Sequence, residues 1–165
     1  MRRKIRFFVS YARINQGPAS DLIERLSQQF RPSRSYDYAL WRDTALLVGE
    51  DWDQEIRVAL DEAEVGLLLI SPAFLGSSYI ANIEIPALLQ RPVLPVLLES
   101  VNPTRQDMHG LEAKQIFGLP VQGGLHRRAF ADCSPKDRRR FVELLFDQIE
   151  RRLDKLVAAS AQGAT

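Results

Sequence analysis

Two rhythms alternate along this chain. Short apolar runs rich in aromatic and β-branched residues are followed by stretches whose apolar positions recur every three or four residues, which predicts strands interleaved with amphipathic helices. "IRFFVSYA" reads as a strand, and "GPASDLIERLSQQF" follows as a helix, with Pro18 near its start and Leu22, Leu26 and Phe30 spaced by four. "YALWRD" predicts a second short strand. Around Gly49 the segment "TALLVGED" reads as loop, and "WDQEIRVALDEAE" then puts Trp52, Ile56, Ala59, Leu60 and Ala63 on one helical stripe. "VGLLLIS" shows no alternation at all, the mark of a strand covered on both faces by crossover helices, and so of a parallel sheet.

Beyond that run, Ser77 or Ser78 is placed to cap a helix that carries Glu84 and meets Pro86, a residue costing about 3 kcal/mol in a helix interior, so a kink or early end is expected. "RPVLPVLLES" predicts a fourth strand with prolines near its ends. From Asn102 to Phe130 the pattern is irregular, with a short helix expected around Leu111 to Phe117. The last stretch opens with Ser134 and Pro135 in cap and first-turn positions and repeats Phe141, Leu144, Leu145, Ile149, Leu153 and Leu156, a closing helix. The expected organisation is one domain over residues 1–158 with a disordered tail over 159–165. Its fold class is α/β: a flavodoxin-like, open, doubly wound sheet of about five parallel strands with helices on both faces. Such sheets bind ligands beyond the carboxyl ends of their strands, where strand order reverses. Those ends here are "SYAR", Arg42 with Asp43, and "SPAF", where polar residues collect.

Composition narrows the function classes. The 165 residues suffice to bury a core without staples, and 45% apolar and 26% charged residues are ordinary globular values. A formal net charge of +1 gives no global electrostatic case for nucleic acid or an anionic membrane. Cys133 is the single cysteine, so no internal disulfide forms and a reducing cytoplasm is expected. "MRRKIRFFV" carries the charge of a secretory leader, but Arg6 interrupts its apolar run, and no stretch approaches the roughly 18 apolar residues of a membrane span. No Walker lysine motif and no G-x-G-x-x-G is present, and "VSYAR" and "LISPA" lack the acidic cluster of a phosphoacceptor receiver. His109, His126 and Cys133 lack the paired spacing of a metal site. Arg138 to Arg140 are offset by Asp137, Glu143 and Asp147 on the same helix, a solvated face rather than a nucleic-acid patch.

Glu84, between Ile83 and Ile85, is out of keeping with its surroundings. Burying an unpaired carboxylate costs several kcal/mol or forces protonation. It therefore either turns to water at the edge of its helix or lines a cleft.

Four blocks in order, "FFVSYAR", "LWRDTALLVGEDWDQEI", "VGLLLISPAFLGSSYIANIEIPALL" and "RPVLPVLL", resemble the successive signatures of a Toll/interleukin-1 receptor (TIR) domain of the bacterial kind, over about Lys4 to Leu98. Many members of that family cleave the nicotinamide–ribose bond of NAD+, releasing nicotinamide with ADP-ribose or a cyclic variant. The resemblance implies Glu84 as the catalytic glutamate on the helix after the third strand, with Phe8, Ser10, Tyr11 and Arg13 along the first strand and its loop as substrate-binding residues. It also implies Asp43 for a ribose and Tyr79 as a stacking aromatic. Many relatives carry Trp four residues before the glutamate; here that position is Ile80, and Tyr79 stands five before, about 100° further round a helix. Leu46, Leu47, Val48 and Gly49 fall in the family's assembly loop, where three apolar residues point to an interface with other TIR domains. The resemblance implies NAD+ as substrate with no cofactor or metal, a homo-oligomer or filament, and an associated or fused sensor. It also leaves open a non-enzymatic adaptor or a virulence effector.

Overall fold

The computed structural model describes residues 1–42, 52–124 and 126–163. Its core is a parallel sheet of β1 (Arg3–Ser10), β2 (Tyr36–Trp41), β3 (Val65–Ile70) and β4 (Val93–Leu97), in the order β2-β1-β3-β4. The chain leaves β1 in one direction to reach β2, then crosses back to lay β3 on the other side of β1. Strand order therefore reverses between β1 and β3, in the register Val9↔Leu67 and Ser10↔Leu68.

The two faces of the sheet carry separate cores. Phe7 and Val9 of β1 with Leu67 and Leu69 of β3 pack against α1 (Gln16–Phe30) and α5 (Pro135–Gly163). Phe8 with Leu68 and Ile70 packs against α2 (Trp52–Glu62), α3 (Pro72–Gly76) and α4 (Ile85–Leu88). The strand period of two assigns each residue to its face. All six residues of β3 are buried, as its unbroken apolar run predicts. The helical stripes also hold, with Leu22, Leu26 and Phe30 of α1 and Ile56, Ala59 and Leu60 of α2 buried.

Local chemistry sets the helix ends. The Ser71 hydroxyl accepts from the Phe74 amide at 3.0 Å ahead of Pro72. Ser77 accepts from the Ile80 amide at 3.2 Å, and Ser134 from the Asp137 amide at 3.2 Å. The expected kink before Pro86 takes a definite form: residues Ile80–Glu84 make a π-helical turn, in which the Ile85 amide donates to the Ile80 carbonyl five residues back. Proline has no amide hydrogen, and its ring crowds the carbonyl four residues earlier, so the turn ahead of it widens.

Two expectations need correction, the number of strands and the helix at 111–117. Among the described residues four parallel strands form instead of about five. Beyond β4 the chain contributes only Phe117, whose amide donates to the Pro95 carbonyl at 2.9 Å and whose carbonyl accepts from the Leu97 amide at 2.8 Å. It then leaves at Gly118 for an antiparallel hairpin of β5 (Leu119–Val121) and β6 (His126–Arg128). Gly118 permits that departure, because a Cβ there would lie 2.8 Å from Arg127 Cβ. The helix expected around Leu111 to Phe117 is a single 3-10 turn, Leu111–Ala113. The closing helix runs on to Gly163, with residues 158–163 all exposed.

Candidate active site

Ser10 ends β1 on the same face as Phe8, two residues on, and is 1% exposed. Opposite it, Glu84 closes the π-helical turn and is 8% exposed. The Ser10 hydroxyl donates to Glu84 Oε2 at 2.5 Å, joining residues 74 positions apart. Of the two readings left open by the sequence, burial removes the one in which Glu84 turns to water. The carboxylate is held inward at the carboxyl end of β1, beside the point where strand order reverses. Ile80 and Ile85 are buried on the same turn, giving the apolar frame that strengthens any interaction of a charge placed there.

A second polar chain crosses the same end of the sheet. The Ser71 hydroxyl, directly after β3, donates to Asn15 Oδ1 at 2.6 Å, and Asn15 Nδ2 donates to Glu99 Oε1 at 2.9 Å beyond β4. Ser71 and Asn15 are buried, and Glu99 is half-buried. This chain locks the turn Arg13–Asn15 onto the sheet and so fixes where Arg13, exposed on that turn, stands. The loop after β4 is tied down in turn: Met108 and Leu111 enter the second core, and His109 Nε2 lies 2.7 Å from the Leu75 carbonyl of α3.

Tyr79 is half-buried one turn before Glu84, its hydroxyl 3.5 Å from Asp53 Oδ1 at the start of α2. Burial pushes its phenol above the ordinary tyrosine range, and the charges of Asp53 and Glu84 push in the same direction, against Arg57. Tyr79 therefore stands within electrostatic reach of the central carboxylate. Asp53 is itself held by Arg57 at 2.8 Å.

Two expected substrate contacts lie elsewhere. Phe8 is 1% exposed and stacks on Trp41 with ring centroids 5.0 Å apart, so it forms the floor below the crevice rather than its lining. Tyr11 is 8% exposed and belongs to the core on the opposite face, with α1 and α5, because the strand alternation turns it away from Ser10. The structure thus unites Ser10, Glu84 and Tyr79 and sets Arg13 at the rim, whereas Asp43, Leu46, Leu47, Val48 and Gly49 lie outside the described residues. Asn15, Ser71, Glu99 and Asp53 were not singled out from sequence. The usable signal for the first three was position alone, a polar residue just past the carboxyl end of a strand. Among the described residues, no three His, Cys, Asp or Glu side chains gather to hold a metal ion, and no helix is long and apolar enough to cross a membrane.

The family model of the TIR domain matches residues 7–145, a span that contains every residue of this crevice. The chain belongs to the TIR domain family. Among solved structures, one titled as the RPS4 and RRS1 TIR domain heterodimer is similar at 14% identity, covering 90% of this chain and 97% of that one, with a TM-score of 0.49. No curated protein matches the sequence. The first strand ends in Ser10 and the π-helical turn beyond α3 carries Glu84, so the paired residues sit in the blocks that pointed to the family from sequence.

Proposed function

We propose that this TIR domain is an NAD+ nucleosidase with Glu84 as its catalytic residue. The observation that carries the reading is a carboxylate 8% exposed, held by a serine hydroxyl at the switch point of a doubly wound sheet. Nicotinamide in NAD+ is already a cationic leaving group, so its departure needs no general acid, unlike that of a glycosidic oxygen. The bond between the ribose anomeric carbon and the pyridinium nitrogen breaks, and its electron pair leaves with neutral nicotinamide. Positive charge then develops on the ribose, and the Glu84 carboxylate in its apolar frame stabilises charge that exists mainly in the transition state. Capture of the anomeric carbon by water, with loss of a proton, gives ADP-ribose; capture by a nucleophile of the same molecule gives a cyclic product. Arg13 at the rim suits the pyrophosphate, and Tyr79 suits a base.

NAD+ is the substrate in this reading, with no cofactor and no metal. Activity depends on self-assembly through Leu46, Leu47, Val48 and Gly49, in the cytoplasm, as part of bacterial anti-phage immunity and under an associated or fused sensor. The reading is tested by incubating concentrated protein with NAD+ and following nicotinamide release for native, Glu84→Ala and Glu84→Gln proteins. Both variants are expected to lose at least about a hundredfold in rate, the scale of removing one electrostatic stabiliser. Equal turnover in all three returns the chain to a non-enzymatic TIR adaptor or effector.

A further inference from the structure

We propose that the open edge of the sheet, whose lining includes neither Ser10 nor Glu84, is a binding site for a small organic anion with an apolar body. Where a fifth strand was expected, only Phe117 pairs with β4, and the chain then departs at Gly118. A cavity of about 410 Å³ is left between β4, residues 114–118, the β5–β6 hairpin and α5. That volume lies within the range of about 300–1,000 Å³ typical of small-molecule sites. Its floor is apolar: Leu145 and Ile149 of α5 are buried, and the half-buried Phe117 ring is held edge-on against Phe141 at 5.0 Å.

Its rim carries one sign of charge. Lys114, Arg127 and Arg152 line the cavity from three separate segments, and no carboxylate lines it. Among the described residues, none of these three cations is engaged in an ion pair or side-chain hydrogen bond. Several arginines elsewhere are matched, Arg25 and Arg138 to Asp21, Arg57 to Asp53, Arg128 to Asp137 and Arg151 to Asp147, while others such as Arg105, Arg139 and Arg140 stand on the open surface. Arg127 and Arg152 thus differ from their neighbours Arg128 and Arg151, which point to acidic partners. Three unneutralised cations around an apolar floor repel one another, and an anion seated among them removes that repulsion. Guanidinium groups bind carboxylate through paired N–H donors, so a carboxylate head with a hydrocarbon body matches both parts of the site. Gln115 and Gln148 complete the polar rim.

Decanoate, decanol and decylamine share a body and differ in head charge, and they serve as probes in isothermal titration of the intact chain below their micelle concentrations. Decanoate is expected to bind at least about tenfold tighter than decanol, as charge-assisted hydrogen bonds imply, and decylamine weaker still. The double variant Arg127→Gln with Arg152→Gln alters two exposed side chains and is expected to bring decanoate down to the decanol level. Amide chemical shifts should move at 114–118 and 144–152 and not around Glu84. Equal affinity for decanoate and decylamine, unchanged decanoate affinity in the double variant, absence of binding, or shifts elsewhere would each overturn the proposal. None of these outcomes depends on NAD+ cleavage.

Discussion

Glu84→Gln should separate stability from activity in opposite directions. The native carboxylate is 8% exposed, so its charge carries a desolvation cost, offset in part by the Ser10 hydroxyl at 2.5 Å and by its further contacts. A glutamine has the same shape, can still accept from Ser10 and pays far less desolvation. Glu84→Gln is therefore expected to be as stable as the native protein or up to about 2 kcal/mol more stable, while losing at least about a hundredfold in nicotinamide release. Ser10→Ala removes the donor from a charged acceptor and should cost about 1.5–3 kcal/mol. At about 2–4 °C per kcal/mol for a chain of this size, Tm falls by roughly 3–12 °C. In the Glu84→Gln background the same Ser10→Ala change breaks only a neutral hydrogen bond, worth about 0.5–1.5 kcal/mol. The double-mutant cycle should then return a coupling of about 1–2 kcal/mol. Urea unfolding of the four proteins measures the cycle, and nicotinamide release measures function. If Glu84→Gln is destabilised by more than about 1 kcal/mol, the charge is a net stabiliser and the desolvation reasoning fails; if Ser10→Ala costs the same in both backgrounds, the hydroxyl does not serve a charged acceptor and the electrostatic argument fails.

Pro86→Ala should let residues 80–88 relax towards a regular α-helix, and nicotinamide release is expected to be at least about tenfold slower, because Glu84 rotates away from Ser10. Retention of the full rate would detach the π turn from function. The hydroxyl of Tyr36 donates to Asp154 at 2.6 Å, and burial, reinforced by that carboxylate, holds its phenol up to about 12 against an ordinary 10.0. A raised acid binds its proton more tightly in the folded state, so its stabilisation is complete below pH 10 and is lost as pH rises from about 10 to about 12. Tyr36→Phe should flatten that part of the urea-stability profile, and an unchanged slope would assign it to other groups. Leu47→Asp is expected to lower the rate and its dependence on protein concentration without a change in Tm, as an interface residue would; a normal rate would remove assembly from the mechanism.

Much of the architecture was legible because its signals are local. Period-two and period-four patterns placed β1 to β4 and the helices between them, and the unbroken "VGLLLI" run identified a strand buried on both faces. Proline and serine positions foretold the caps at Ser77 and Ser134, and the disturbance ahead of Pro86. What was not legible depends on geometry between segments. The family resemblance implies Phe8 and Tyr11 alongside Ser10, yet the alternation of the strand sends Tyr11 to the other core, and Phe8 lies two residues deeper, stacked on Trp41. Asn15 and Glu99 carry no motif, and their meaning appears only once β1, β3 and β4 end side by side.

The order of elements, the buried central strand and the presence of a misplaced carboxylate among isoleucines were therefore determined by sequence alone, since each depends on neighbours within a few residues. The reversal of strand order between β1 and β3, the meeting of Ser10 with Glu84 across 74 residues, and the strand slot left open beside β4 were decided by the tertiary structure. Hydrophobic period says which face of an element is buried, but not which element covers it. Only the packed sheet brings distant carboxyl ends together, and there the carboxylate finds its donor.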